Sequence, residues 1–284
     1  MPTRKIKRTT SSVPTLEGAG VRLNRAFANN DTQLFDPFLL LDDFRSDTPA
    51  HYNKGFPWHP HRGIETITYV LKGDVAHGDS LGNKGDISRG DVQWMTAGSG
   101  IIHQEMPRGD SKGRMEGFQL WANLPAADKM MMPRYRDIKA EQIPTVKLDN
   151  GIEIKVICGH IGAVSGPVTD VMIEPEYFDV KVPVNAVFTH TTPVGHTVFA
   201  YVHAGKGRFD ENSENLLGNR SLVLYGKGEQ VVIRAEDETL RFLLVAGKPL
   251  NEPIAWGGPI VMNTQQELQH ALDEYQNGTF IKHG

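Results

Sequence analysis

Short apolar runs separated by glycine, proline and turn pairs follow one another along almost the whole chain. Residues 66–71 and 115–124 alternate or run apolar and are rich in β-branched and aromatic side chains, and a turn at Lys72, Gly73 and Asp74 closes the first of them. Residues 35–44 are apolar enough for a buried strand, whereas residues 125–139 are expected to form a loop. Runs of this length with this punctuation are typical of β-strands.

The second half repeats this pattern and ends in one predicted helix. Apolar residues recur at helical spacing between Leu268 and Tyr275, and Thr264 with Glu267 three residues later forms a capping-box sequence. The sequence therefore predicts an all-β protein with a short C-terminal helix. Further strands are expected at residues 152–157, 171–173, 178–182, 198–203, 221–225, 230–233 and 241–246.

A chain of 284 residues is long enough for two hydrophobic cores. Prolines interrupt the pattern around residues 125–145, so we predict an N-terminal domain of residues 1–138 and a C-terminal domain of residues 139–284. The second half looks like a degraded copy of the first, because aligning Gly205 with Gly73 places threonine, proline and threonine at the positions of His59, His61 and Glu65. Those replacements are poor metal ligands, so the second domain is expected to bind no metal.

Charge and cysteine content narrow the class of protein. Lys and Arg total 30 against 34 Asp and Glu, for a formal net charge of -4, which argues against broad affinity for nucleic acid or membranes. Cys158 is the only cysteine, and no apolar stretch reaches the roughly 18 residues that cross a bilayer. We expect a cytoplasmic protein with no direct nucleic-acid partner and no membrane association.

Histidines and acids at a spacing of two residues are the candidate chemistry. In an extended strand, His59, His61, Gly63 and Glu65 would project from one face, and the glycine would leave room for an ion. After the glycine-rich bend at residues 98–100, His103 and Glu105 repeat the spacing of two. The spacing predicts a metal pocket between the two segments.

Three imidazoles and one carboxylate suit iron, manganese, nickel, copper or zinc. Four such ligands leave two positions on a six-coordinate ion for a substrate oxygen and for O₂ or water. Spacing alone leaves open whether Glu65 or Glu105 is the fourth ligand.

Five segments together resemble the cupin superfamily and, more narrowly, the pirin family: residues 35–44, 59–66, 90–98, 100–107 and 258–264. The resemblance implies two cupin (jelly-roll) β-barrels in tandem, with one iron ion (Fe²⁺ or Fe³⁺) in the N-terminal barrel and other divalent transition metals as alternatives. It implies His59, His61, His103 and Glu105 as the ligands. General cupins use the acid of the first motif, here Glu65, which we instead expect beside the site.

The family resemblance implies two classes of function. One is a quercetin 2,3-dioxygenase that acts on a flavonol, or on another phenolic or enolic substrate, with O₂, and in which Glu105 takes the hydroxyl proton. Trp94 and Gln119, on strands that should pass the pocket, are candidate substrate contacts. The alternative is a non-enzymatic, iron-dependent and redox-sensitive regulator that binds a protein partner, either as a transcriptional co-regulator, nuclear in a eukaryote, or as a modulator of a metabolic enzyme. The basic residues between Arg4 and Arg8 are its only support in the sequence.

Overall fold

A computed structural model describes residues 1–211 and 213–283 of the chain. The first half contains strands β1 (Ile6–Ser11), β2 (Val13–Glu17), β3 (Val21–Phe27), β4 (Phe38–Asp43), β5 (Phe56–His61), β6 (Ile64–Lys72), β7 (Asp74–Asp79), β8 (Lys84–Ile87), β9 (Val92–Thr96), β10 (Ile101–Arg108), β11 (Glu116–Asn123) and β12 (Arg134–Ile138).

The second half contains β13 (Thr145–Lys147), β14 (Glu153–Cys158), β15 (His160–Ile161), β16 (Val164–Ser165), β17 (Glu176–Val182), β18 (Val187–Thr191), β19 (Thr197–Ala204), β20 (Lys206–Arg208), β21 (Leu217–Gly218), β22 (Ser221–Tyr225), β23 (Gln230–Ala235), β24 (Leu240–Gly247), β25 (Ala255–Gly257) and β26 (Ile260–Met262). The α-helices are the one-turn α1 (Thr32–Phe35) and α2 (Gln265–Gln276). Short 3₁₀ helices lie at Asn29–Asp31, Pro49–His51, Ala126–Asp128 and Ala140–Gln142.

The chain forms two compact units, each with a seven-stranded and a four-stranded sheet. In the N-terminal unit the sheets have the strand orders β12-β9-β6-β11-β4-β3-β2 and β5-β10-β7-β8. In the C-terminal unit the corresponding orders are β1-β22-β19-β24-β17-β14-β13 and β18-β23-β20-β21. Strand for strand, the second pair of sheets repeats the first, and the predicted all-β fold with a short C-terminal helix is confirmed.

The two units exchange their terminal segments. The N-terminal unit comprises Val13–Ala140 and Leu250–Gly284, and the C-terminal unit comprises Met1–Ser12 and Glu141–Pro249. The division between residues 140 and 141 lies two residues from the predicted boundary between residues 138 and 139. The prediction, however, assigned residues 1–12 to the N-terminal domain and residues 250–284 to the C-terminal domain, whereas the structure assigns each segment to the other unit. The reason is long-range pairing, since β1 is antiparallel to β22 and the segment with β25, β26 and α2 packs in the N-terminal unit.

Three predicted segments need correction. Residues 171–173 form no strand, because the chain turns there before β17 begins at Glu176. The segment at residues 125–139 is not all loop, because β12 pairs with β9 at the edge of the seven-stranded sheet. The basic stretch between Arg4 and Arg8 is expected from the sequence to be a solvated strand edge, but Arg4 is buried and donates hydrogen bonds to the Thr192 hydroxyl and to the carbonyls of Gly226 and Pro193. This arginine therefore anchors its own unit.

The predicted helix α2 begins at the expected cap. The Thr264 hydroxyl accepts a hydrogen bond from the backbone N–H of Glu267, and the Glu267 carboxylate accepts one from the backbone N–H of Thr264. Leu268 and Ala271 bury one face of the helix against β25, β26 and Phe280. Among the described residues, no helix combines the length and apolar character needed to span a membrane.

The interior of the C-terminal unit is apolar where the N-terminal unit carries its histidines. On β23, the strand equivalent to β10, Val231 and Ile233 are fully buried in the core. His190 on β18 bonds through Nε2 to the Glu176 carboxylate at 3.0 Å. That this unit binds no metal stays a prediction.

Candidate metal centre

Three histidine side chains converge in the four-stranded sheet of the N-terminal unit. His59 and His61 lie on β5, and His103 lies directly opposite His59 on the neighbouring strand β10. The Nε2 atoms of His59 and His61 are 3.1 Å apart, and those of His103 and His59 are 2.9 Å apart. One ring nitrogen from each of the three residues lies within 4.8 Å of the others, which confirms that they can hold a metal ion.

The backbone sets which ring nitrogens of two histidines carry hydrogen. Nδ1 of His59 lies 2.9 Å from the carbonyl oxygen of Pro57, and Nδ1 of His61 lies 3.1 Å from that of Pro259. A carbonyl only accepts, so each Nδ1 is the donor, and in a neutral ring each Nε2 then presents a lone pair. Burial lowers the pKa of His59, and burial together with the charge of His59 holds the pKa of His61 well below its ordinary value.

This arrangement suits a cation. Two lone pairs that face each other at 3.1 Å repel, and a shared positive ion turns that repulsion into coordination. Two nitrogens at about 2.1 Å from one ion and at right angles to each other would be about 3.0 Å apart. The observed separations of 3.1 and 2.9 Å agree with that value. Burial and the neighbouring imidazoles also hold the pKa of His103 well below its ordinary value, so all three rings favour the neutral form that binds metals.

Glu105 lies beside the histidines and is buried. Its Oε2 is 4.0 Å from Nε2 of His103, and its Oε1 accepts a hydrogen bond from the Thr68 hydroxyl at 2.9 Å. Burial raises the pKa of Glu105 to about 7, against the opposing effect of the Thr68 hydrogen bond. The carboxylate is therefore next to the three-histidine cluster, although its oxygens are not among the atoms that converge within 4.8 Å.

The expectation that His59, His61, Gly63 and Glu65 share one strand face is wrong. The strand is interrupted after His61, because Gly63 has a φ of +77° and β6 begins only at Ile64. A Cβ at Gly63 would overlap the carbonyl oxygen of Val261, so the glycine permits close approach of the C-terminal segment and does not make room for an ion.

Beyond this kink, Glu65 turns to a different set of partners. Its carboxylate accepts hydrogen bonds from the Thr96 hydroxyl at 2.6 Å and from Nε1 of Trp94 at 3.1 Å, and Nη2 of Arg134 lies 3.9 Å away. Burial raises the pKa of Glu65, and these partners oppose that shift. Glu65 and Trp94 are therefore hydrogen-bonded to each other, and Glu65 is not part of the three-histidine cluster.

A cavity of about 740 Å³ opens onto the histidine cluster within the N-terminal unit. His59, His61, Glu105 and Gln119 line it, whereas Glu65 and Trp94 do not. The Gln119 side chain lies 2.7 Å from the Thr68 hydroxyl, which also reaches Glu105. Most of the remaining wall is apolar and includes Leu23, Leu40, Phe44, Phe56, Trp121 and Trp256. The volume suits a drug-sized molecule.

The C-terminal segment clamps the strand that carries His59 and His61. Arg62 is only 1% exposed, and its guanidinium donates to the Ser99 carbonyl at 2.7 Å, to the Glu274 carboxylate at 2.6 Å and to the Phe280 carbonyl at 2.8 Å. Its Cζ also lies 4.2 Å from the centre of the Phe280 ring. The carbonyl of Pro259 on the same segment orients His61, so this remote part of the chain shapes the site.

Lys129 fixes the same kink from the other side. Its buried ammonium donates to the carbonyls of Gly63 at 2.9 Å and Val261 at 3.0 Å, and to the Asn123 side-chain oxygen at 2.7 Å. Burial lowers the pKa of Lys129 to about 8, against the opposing charges of Glu252 and Glu267. The lysine therefore joins the start of β6 to β26.

His77 is a part of the site that sequence reasoning missed. It is buried on β7, and its Nε2 lies 3.3 Å from Nδ1 of His103. The Tyr135 ring packs against it, with the ring centres 4.9 Å apart. No ligand spacing marks His77 in the sequence, and only the antiparallel register that places it opposite Glu105 brings it to His103.

Comparison with known proteins identifies the family. A family model for pirin matches residues 20–122, and a model for the pirin C-terminal cupin domain matches residues 177–281. A pirin-like protein from Caulobacter vibrioides is 42% identical over 281 residues, which cover 99% of this chain and 100% of that protein. The chain belongs to the pirin family. Pirin-1 from Arabidopsis thaliana is also similar, with 40% identity over 267 residues, 92% of this pirin and 89% of the plant protein.

A solved structure extends the comparison to the fold. Quercetin 2,3-dioxygenase from Acinetobacter baumannii matches this pirin with a TM-score of 0.89 and 34% sequence identity, over 98% of both chains. The predicted tandem of two cupin barrels and the predicted family are thereby confirmed.

Proposed function

We propose that this pirin is an iron-dependent dioxygenase that opens the central ring of a flavonol, as a quercetin 2,3-dioxygenase does. The observation that carries the proposal is the convergence of three imidazole nitrogens next to a buried carboxylate, with His59, His61 and the carboxylate lining a largely apolar cavity of about 740 Å³. The similarity to quercetin 2,3-dioxygenase from Acinetobacter baumannii, at 34% identity over 98% of both chains, supports it.

In this proposal His59, His61 and His103 hold the iron ion, and Glu105 is the fourth ligand. Nickel, manganese, copper or zinc suits the same nitrogen and oxygen donors. When bound, the metal supplies Lewis-acid chemistry and the electron transfer that activation of O₂ requires. Pro57 and Pro259 contribute the carbonyls that keep hydrogen on Nδ1 of His59 and His61 and leave Nε2 for the ion.

The chain's own residues bind, orient and deprotonate the substrate. Glu105 faces the cavity and serves as ligand and base in turn: once its carboxylate no longer acts as a ligand, it is placed to take the proton of the flavonol 3-hydroxyl, while the Thr68 hydroxyl donates to its Oε1. Trp121 and Trp256, with ring centres 5.9 Å apart and planes tilted by 32°, offer an apolar, aromatic wall for the substrate rings. Overall, both atoms of O₂ enter the opened ring, and one ring carbon leaves as carbon monoxide to give a depside.

Aerobic turnover tests the function. An anaerobically purified, iron-loaded sample mixed with quercetin and then exposed to air should consume O₂, release carbon monoxide and bleach the flavonol absorbance. His59→Ala and His103→Ala should abolish all three signals. His190→Ala removes a largely buried histidine of the C-terminal unit and is the matched control, with turnover expected to persist. Stoichiometric iron without turnover would contradict the proposal and would favour an iron-dependent, partner-binding regulator.

Metal content tests the fourth ligand separately. Glu105→Gln should lower iron content, whereas Glu65→Gln should retain it, because the Glu65 carboxylate is bound to Trp94 and Thr96. Loss of iron in Glu65→Gln alone would show that the acid of the first motif is the ligand.

A further inference from the structure

A row of polar side chains crosses the cavity wall formed by the seven-stranded sheet. Arg25 on β3 pairs directly with Asp42 on β4, Asp42 pairs with Gln119 on β11, and Gln119 pairs with Thr68 on β6. Directly opposite residues of antiparallel strands share a face, and all four of these residues line the cavity. The row therefore runs from Thr68, which touches Glu105, outward to Arg25 and Asp42.

The outer end of the row is a rigid ion pair. Nε of Arg25 donates to Oδ1 of Asp42 at 2.8 Å, and Nη2 donates to Oδ2 at 2.7 Å, while Nη1 reaches Glu17 at 2.7 Å. Asp42 is 5% exposed in spite of its charge. Each carboxylate oxygen accepts up to two hydrogen bonds, so the two-point clamp by Arg25 fixes the carboxylate and leaves it able to accept another donor from the cavity.

The position of this pair suits the far end of an elongated substrate. Asp42 is two strands away from Thr68, which corresponds to about 10 Å at about 4.8 Å per strand. The wall around both ends is mainly apolar, with Leu23, Leu40 and Phe44 among its residues. A multi-ring molecule with one oxygen at the histidine cluster would thus bring its opposite end to the carboxylate.

We propose that Asp42, held in place by Arg25, determines substrate specificity by accepting a hydrogen bond from a second hydroxyl group at the far end of a polyphenol. The preferred class is then a flat multi-ring phenol with hydroxyl groups at both ends, one for the metal centre and one for Asp42. This inference rests on the proposed function, and it adds the reason why a polyhydroxylated flavonol is selected over one with a single hydroxyl. A hydrogen bond to a charged acceptor that is shielded from water is strong enough to give such a preference.

The neighbouring residue supplies a matched control. Asp43 also lies on β4, is fully buried, and is clamped at two points by Arg45, with distances of 2.7 and 2.5 Å. It follows Asp42 directly, so its side chain points to the opposite face of the sheet, and it does not line the cavity. Asp42→Asn and Asp43→Asn therefore make the same chemical change in comparable ion pairs on opposite faces.

Equilibrium binding under anaerobic conditions separates specificity from turnover. The metal-loaded full chain is titrated with quercetin, which has hydroxyls on its outer rings, and with 3-hydroxyflavone, which lacks them. We expect the wild type to bind quercetin about tenfold more tightly. Asp42→Asn should reduce the ratio of the two dissociation constants to within about twofold and leave the affinity for 3-hydroxyflavone unchanged, whereas Asp43→Asn should keep the preference.

The inference would be overturned if Asp42→Asn bound both flavonols more weakly by the same factor or kept the preference for quercetin. It would also be overturned if Asp43→Asn lost that preference. Binding of both flavonols by the wild type without any preference would overturn the inference alone. Failure of the wild type to bind either flavonol would overturn the proposed function together with it. If Asp42→Asn does not fold, Arg25→Lys replaces it, because lysine keeps the charge but loses the two-point clamp. The preference for quercetin should then fall, and a full preference in Arg25→Lys would overturn the inference.

Discussion

Replacing Arg62 by methionine should loosen the C-terminal segment from the metal centre. The guanidinium makes three hydrogen bonds of 2.6–2.8 Å in a site that is 1% exposed. Methionine fills much of the same volume, but it leaves the carbonyls of Ser99 and Phe280 and one oxygen of Glu274 without this donor. Breaking a buried charged pair by removing one partner costs about 3–5 kcal/mol. We expect the lower end, about 3 kcal/mol, since Lys282 also binds Glu274.

The same change should weaken metal binding. Arg62 follows His61 directly, and the Pro259 carbonyl that orients His61 belongs to the segment that Arg62 holds. Loss of a group that orients a ligand typically lowers metal affinity about 10–100-fold.

The destabilisation also sets the expected change in melting temperature. For a unit of this size, a loss of about 3 kcal/mol in Arg62→Met corresponds to a melting temperature lower by about 6–12 °C.

Calorimetry and competition with a chromophoric chelator measure the two effects. Arg208→Met in the C-terminal unit removes a partly exposed ion pair with Glu236 and is the control, with a change below about 1 kcal/mol and unaltered metal affinity. A melting temperature of Arg62→Met within a degree or so of wild type would refute the energetic reasoning. A destabilised variant with full metal affinity would refute the link between the C-terminal segment and His61.

Three further changes test other parts of the site. Gly63→Ala should lower the free energy of unfolding in urea by more than about 2 kcal/mol, because φ is +77° and a Cβ would overlap the Val261 carbonyl. A loss below about 1 kcal/mol would contradict this. His77→Phe should lower metal affinity about 10–100-fold and His77→Gln less, because glutamine can still accept from His103, and equal losses would count against an orienting role. Burial lowers the pKa of Lys129 to about 8, whereas the pKa of an unfolded lysine is about 10.4. Between these two pH values the unfolded chain binds more protons than the folded one, so the free energy of unfolding of the wild type should rise by about 3 kcal/mol as the pH increases from about 8 to about 10.4. Lys129→Met should lack this rise, and parallel stability curves for the two proteins would contradict it.

Local spacing was sufficient to find the histidines. His59 and His61 are two residues apart in one strand, and His103 belongs to a neighbouring strand that delivers it directly opposite, so alternation within short strands brings the three together. The same alternation failed for Glu65, because it assumed a continuous strand through Gly63. The kink there depends on Val261, almost two hundred residues away, and no local pattern reveals such a contact.

Other parts of the site also depend on long-range pairing. His77 reaches His103 through the register of β7 and β10, and the Pro259 carbonyl and Trp256 enter from the C-terminal segment. The sequence placed Gln119 near the pocket because its strand was expected to pass it, and the cavity includes it. Trp94 lay on an equally plausible strand, but its indole binds Glu65 outside the cavity.

The exchange of terminal segments has a consequence for biosynthesis. A nascent chain that has left the ribosome only as far as residue 249 already contains all three histidines, but it lacks the Pro259 carbonyl, the Trp256 wall and the partners of Arg62. In the same way, β1 is made before β22 and has no partner until β22 follows. Each unit is therefore completed only after its later segment has been made, and a product truncated before residue 250 carries the three histidines without the segment that orients His61. We expect a bound metal ion to be retained only by chains that extend beyond residue 249, so that metal content reports on whether the segment from residue 250 onward is intact.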